Sequence, residues 1–281
     1  MIVLDAAETR ARLPIAAAIE AMRLGLGDDR EVPLRSVLGG SAFMPGRAGQ
    51  HTGVKVVSLV PGNPVGLVAV FGPTGDPVGI VDGPTLTAIR TGAAAGLATD
   101  LLAPPGEAIF AILGAGAMAP DQIAAVAAVR PLREIRVWSR DPRKARRLAD
   151  QVSGRAFPSP ALAVTGASII TTATPAREPL FSADAISEPV HVNAVGAFTP
   201  EMCEIPPDLV RRAFVVVDDL RAAAAEAGDL LQAGVEASRT LADVLARRQT
   251  PPAGASTLFK SVGIASQDVA AGAAALLATD R

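Results

Sequence analysis

The chain has 281 residues, enough for two modest domains with real cores, and a formal net charge of -2 with both signs interspersed, which excludes the basic footprint that nucleic acid or an anionic membrane surface requires. It is 49% hydrophobic but only 3% aromatic, so Ala, Val, Leu and Ile must fill the interior, a composition suited to α/β packing. The single cysteine, Cys203, excludes an internal disulfide or a thiolate metal cluster; the acidic N-terminus lacks an export layout and no apolar run is long enough to span a bilayer, so a cytoplasmic protein without a metal site is expected.

Residues 54–60, 66–71 and 77–81 are β-branched runs. They are separated by Pro61-Gly62-Asn63-Pro64 and Gly72-Pro73-Thr74-Gly75-Asp76, the pattern of an antiparallel meander. Thr85 then opens a helix whose Leu86, Ile89, Leu97 and Leu101 share an apolar face. Pro104-Pro105-Gly106 ends it, and a domain boundary is expected there.

Beyond that point strand and helix alternate, the signature of a parallel sheet. An apolar strand covers 108–113, a helix starts near Ala119, and a strand over 135–138 precedes a helix with Asp141 as N-cap and Pro142 in its first position. Further buried strands are expected at 167–172, 190–195 and 213–217. Residues 257–281 read as a short strand or loop followed by an Ala-rich helix.

The first of these strands runs directly into Gly114-Ala115-Gly116-Ala117-Met118-Ala119. With 26 glycines in the chain, a bare G-x-G-x-x-A is weak evidence, but here it follows an apolar strand and opens a helix. That arrangement brings backbone N–H groups and a helix N-terminus onto a pyrophosphate, so Gly114, Gly116, Ala117 and Met118 are expected to bind a dinucleotide. An NAD-selecting fold ends its second strand with an acid that holds the ribose 2′-hydroxyl. This chain has Ser139 and Arg140 there, with Arg143 and Lys144 just beyond, which suits a 2′-phosphate; NADPH is the expected cofactor, with NADH possible. Thr172, Asn193 and Ala194 end parallel strands, the edge where open α/β sheets bind ligands, and are expected at the same cofactor.

Other motifs are Gly53-Val54-Lys55-Val56-Val57, Pro61-Gly62-Asn63, Asp82-Gly83-Pro84-Thr85-Leu86-Thr87-Ala88-Ile89-Arg90-Thr91, His191-Val192-Asn193-Ala194-Val195-Gly196-Ala197 and Phe259-Lys260-Ser261-Val262-Gly263. With the glycine loop they run in the order and approximate spacing of the ornithine cyclodeaminase/mu-crystallin family, which the chain resembles over nearly its whole length. The resemblance implies an α/β protein: a Rossmann domain over 105–254, and a discontinuous α+β substrate and dimerisation domain made of 1–104 with 255–281. It implies a homodimer acting on a small imino or amino acid. Arg35, Lys55 and Arg90 match the residues that hold the substrate carboxylate, with Lys55 and Arg90 as the catalytic candidates and Lys55 polarising or protonating the imine. Ser261 matches a cofactor-cleft residue. Arg suits this work because its fork binds a carboxylate bidentately, whereas Lys adds a compact charge.

The departure from the family lies after Gly196. Deaminating members and the alanine dehydrogenases carry an Asp two residues on, where this chain has Phe198, and a phenyl ring can neither activate water nor take a proton. Mu-crystallin-like ketimine reductases lack that Asp as well. The resemblance therefore implies NADPH-dependent reduction of a preformed cyclic imine such as Δ1-pyrroline-2-carboxylate. Ornithine cyclodeamination or alanine dehydrogenation, and a non-catalytic NADPH-binding role, are the alternatives. Asp82, Glu201 and Glu204 are the acids that could replace the missing one.

Overall fold

In the computed structural model, residues 1–60 and 65–278 are described; the expected turn Pro61-Gly62-Asn63-Pro64 lies outside the described residues. The chain divides into two compact units, Met1–Ala94 with Gly263–Arg281, and Ala95–Val262.

The first unit begins with β1 (Ile2–Leu4), α1 (Ala6–Arg12) and α2 (Ile15–Gly25). Strands β2 (Arg30–Glu31), β3 (Ser36–Leu38), β4 (Ser41–Ala48), β5 (His51–Ser58), β6 (Gly66–Phe71) and β7 (Pro77–Asp82) follow, and then the 20-residue α3 (Gly83–Leu102). The expected meander is present: β4 to β7 pair antiparallel in sequence order, and β1 adds parallel to β7 at the edge. Cross-strand partners share a face, so the row Leu4, Val81, Val68, Lys55 and Met44 points one way and is buried throughout. Val3, Ile80, Ala69, Val54 and Pro45 point the other.

The second unit contains β8 (Ala108–Leu113), α4 (Ala119–Val129), β9 (Leu132–Trp138), α5 (Pro142–Gln151), β10 (Arg155–Ala156), α6 (Pro160–Val164), β11 (Ile169–Thr172) and β12 (His191–Ala194). It continues with α7 (Pro207–Arg212), β13 (Phe214–Val217), α8 (Leu220–Glu226), α9 (Gly228–Ala233), α10 (Leu241–Leu245) and β14 (Thr257–Lys260). The sheet is wholly parallel in the order β10-β9-β8-β11-β12-β14-β13. Its core holds Phe110, Ile112, Ile123, Val126, Val137 and Leu148. Asp141 caps α5 by accepting from the Arg143 N–H, with Pro142 in the first turn as expected.

The chain then returns to the first unit as α11 (Ala265–Leu277), which packs on β4 to β7 and on α2. Small residues allow a close approach: a Cβ on Gly46 of β4 would lie 2.8 Å from the Ala265 Cβ. The units divide inside α3 and after Val262, not at 104/105 and 254/255. The reason at the second point is β14: hydrogen-bonded between β12 and β13, it belongs to the parallel sheet rather than to the segment that follows it.

Candidate active site

In the second unit the glycine loop joins β8 to α4. Gly114 has φ +124°, and a Cβ there would meet the Ala173 carbonyl oxygen at 2.5 Å, so only glycine fits. Its N–H donates to Trp138 O at 2.8 Å, tying the loop to the end of β9. Gly116 is exposed, and a Cβ built on it would meet nothing within 4 Å. The loop is thus anchored on one side and open on the other, ahead of the α4 N-terminus, which fits a dinucleotide pyrophosphate. A cleft of about 170 Å3 opens beside it, lined by Gly114, Gly116, Trp138, Ser139, Arg140 and Lys144 among others.

Of the two cations expected beyond Arg140, Lys144 lines this cleft. Arg143 is 88% exposed and turns instead to an open surface with Arg146 and Arg147, because one step along a helix rotates a side chain by about 100°. Asn193 was expected to reach the cofactor, but its side chain is fully buried. It donates to Thr99 Oγ1 at 2.9 Å, and its oxygen faces His191 Nε2 at 3.1 Å. Ser261 is likewise internal and donates to Asp218 Oδ2 at 2.8 Å. Ala194 is buried at the end of β12, and the buried hydroxyl of Thr172 has no partner among the described residues.

The candidate acids separate by environment. Asp82 accepts the Thr85 N–H at 2.9 Å and so stabilises the start of α3. Glu201 is exposed, its pKa lowered chiefly by the Thr199 hydroxyl. Glu204 is fully buried and burial raises its pKa, yet it accepts from Thr174 N, Thr174 Oγ1, Gly196 N and Ala197 N, so it holds two loops and has no capacity left for a substrate. Phe198, next on the second loop, is half exposed.

The first unit contains the residues expected to hold the substrate, and there the three cations converge. Lys55 on β5 is 6% exposed and donates to Thr87 Oγ1 on α3 at 2.7 Å. It also pairs with Asp268 Oδ1 on α11 at 3.4 Å. Arg90, one turn beyond Thr87, donates through Nε to the same Asp268 oxygen at 3.0 Å and through a terminal nitrogen to Gln267 Oε1. Arg35 donates to the Gly263 carbonyl at 3.2 Å. Gly263 itself, with φ +79°, lies under the Arg90 guanidinium so closely that a Cβ would sit 2.8 Å from it. Lys55 and Arg90, both buried, share the one carboxylate of Asp268, which leaves a net positive charge for an incoming anion. Burial lowers the Lys55 pKa to about 8; Asp268 opposes that shift, whereas Arg90 and Arg35 add to it.

Thr87, Gln267 and Asp268 were not anticipated as site residues. The signal for Gln267 and Asp268 was an adjacent amide and carboxylate in the first turn of an otherwise Ala- and Gly-rich helix, where a buried charge demands a partner.

Residues 31–276 match the ornithine cyclodeaminase/mu-crystallin family. The chain belongs to this family. It is 36% identical over 207 residues to the ketimine reductase mu-crystallin of Mus musculus, covering 73% of this chain and 66% of the mouse protein, just under two thirds of its length. The Δ1-pyrroline-2-carboxylate reductase of Bacillus cereus is 36% identical over 242 residues, 77% of this chain and 74% of that one. The structure of Thermococcus litoralis Δ1-pyrroline-2-carboxylate reductase, in complex with NADH and L-proline, superposes with a TM-score of 0.90 and 28% identity over 98% of this chain and 96% of that one. The expected α/β architecture with a Rossmann-type domain is thereby met.

Proposed function

We propose that the protein is an NAD(P)H-dependent oxidoreductase acting on C=N, and that it reduces a cyclic α-imino acid, Δ1-pyrroline-2-carboxylate or Δ1-piperideine-2-carboxylate, to L-proline or L-pipecolate. The observation that carries this reading is the buried Arg90–Asp268–Lys55 cluster with Arg35 beside it. A substrate carboxylate matches its surplus positive charge, and an acid is present for the imine nitrogen. A nicotinamide cofactor held by the glycine loop would supply the hydride for the imine carbon. Arg35 and Arg90 hold the carboxylate, and Lys55 Nζ gives one proton to the nitrogen, becoming neutral until solvent restores it. No water is added and no ammonia leaves, which agrees with Phe198 standing where deaminating relatives carry an acid.

Arg140 and Lys144 in the nucleotide cleft favour NADPH over NADH through the 2′-phosphate. The protein acts as a cytoplasmic homodimer, its first unit binding substrate and supplying the dimer contact. Among the described residues no helix is long and apolar enough to cross a membrane.

The test is the fall of NADPH absorbance on adding each five- and six-membered imine, repeated with NADH. Turnover with neither ring size and neither cofactor sinks the proposal. Ammonia release from L-ornithine would replace it with cyclodeamination.

A further inference from the structure

The cluster in the first unit contains a carboxylate with no assigned part in the reaction. Asp268 is fully buried. One oxygen, Oδ1, is shared by Lys55 Nζ at 3.4 Å and Arg90 Nε at 3.0 Å, while Oδ2 has no partner among the described residues. On the other side of Lys55, the Thr87 hydroxyl donates to Gly83 O at 2.7 Å, so its single proton is committed and it can only accept from Lys55. The ammonium is therefore held between two acceptors, and its third N–H has no protein partner among the described residues. Arg90 is fixed in the same way between Asp268 and Gln267.

Resting on the proposed imine reduction, we infer that Asp268 is the positioning residue of Lys55: its carboxylate, shared with Arg90, keeps the ammonium charged and aimed as the proton donor and holds the two cations together around one substrate carboxylate. The groups acting on Lys55 come from every neighbouring segment. Arg90 and Thr87 come from α3, Asp268 from α11, and Arg35 from the segment before β3. Two of these are cations, and with burial they favour a neutral amine; Asp268 is the one opposing charge. Without it a larger share of Lys55 is neutral near the working pH and has no proton to donate. With it the acid is poised close to the working range of a cytoplasmic enzyme.

The chain has three lysines, Lys55, Lys144 and Lys260, so lysine-selective 13Cε NMR of the full chain gives a spectrum in which a Lys55→Met control assigns the relevant signal. In the wild type the Lys55 signal titrates near 8. In Asp268→Asn, close in shape but uncharged, the midpoint moves down by at least about one pH unit, a tenfold change in acidity. In Asp268→Glu it stays near the wild-type value. In parallel, kcat for imine reduction at pH 7.5 falls at least about threefold in Asp268→Asn, the loss of protonated Lys55 when its midpoint moves from about 8 down by one pH unit, whereas KM does not rise, because the lost negative charge is matched by the lost positive one. A Lys55 midpoint that does not move in Asp268→Asn overturns the inference. So does a midpoint in Asp268→Glu that falls as far as in Asp268→Asn, because the carboxylate charge is then not what holds the proton. The titration requires no substrate: a Lys55 midpoint that falls in Asp268→Asn while the wild type reduces no imine sinks the reductase reading alone, and an unmoved midpoint in a protein that reduces imines sinks the role of Asp268 alone.

Discussion

The proposed preference for NADPH rests on single residues. Ser139 and Arg140 close β9 where an acid would reject a 2′-phosphate, and Lys144 adds a second charge to the same cleft. Arg143, 88% exposed, is too far turned to share in it. Arg140→Ala and Lys144→Ala are each expected to raise KM for NADPH about tenfold, the loss of one partly solvated charge-assisted contact, and to leave KM for NADH within about twofold. Arg143→Ala is expected to change neither. Steady-state kinetics with both cofactors check this, and an equal loss for NADH and NADPH in the Arg140 variant would remove the case for NADPH selection. At this scale the sequence was only partly legible. The cationic character of residues 140–144 is plain in the sequence, but which of Arg143 and Lys144 faces the cleft depends on the rotation of α5 against the sheet, and no composition rule encodes that.

At the level of elements, patterns carried by local chemistry were readable and long-range ones were not. The meander of β5 to β7 follows from β-branched runs and turn residues, and the β8–loop–α4 unit from an apolar strand, two glycines and a helix start. In contrast, nothing in Thr257–Lys260 says that this strand inserts between β12 and β13, because the pairing joins chain segments whose contact is invisible to periodicity. The same holds for α11, whose Asp268 meets a lysine 213 residues earlier. Gly263, where β14 gives way to α11, joins both lessons: its left-handed φ of +79° and its place beneath the Arg90 guanidinium each exclude a side chain. Gly263→Ala is expected to cost about 1–2 kcal/mol in backbone strain and to push Arg90 off the position it holds against Asp268 and Gln267. Thermal unfolding should show a lower midpoint, and KM for the imine should rise at least about tenfold. A variant with wild-type KM would mean that the Arg90 position has slack.

For the whole molecule, two properties follow from what the sheets present and what they bury. The outward row of the first sheet includes Val3, 63% exposed, and the neighbouring row includes Leu67, 40% exposed, beside Val56 and Phe43. Such a face, offered across adjacent strands, suits a self-complementary contact between two copies. Analytical ultracentrifugation should find a dimer for the wild type and a monomer for Leu67→Glu, a change that adds charge to the face without entering the protomer core; a monomeric wild type rejects the homodimer. The second sheet buries His191 completely, with Nδ1 at 2.8 Å from Thr257 Oγ1 and Nε2 at 3.1 Å from Asn193 Oδ1. Burial holds its pKa down to about 3 against an ordinary 6.5. Between those values the unfolded chain binds a proton that the folded chain refuses, so stability present above pH 6.5 is lost as pH falls toward 3, at a slope approaching about 1.4 kcal/mol per pH unit for one proton. Most carboxylates titrate lower, near pH 4, so the interval from pH 6.5 to 5 isolates the histidine. Urea unfolding in that interval should show the wild type losing stability faster than His191→Gln. Parallel pH dependences in the two proteins would show that the imidazole is protonated inside the fold and finds its partner there.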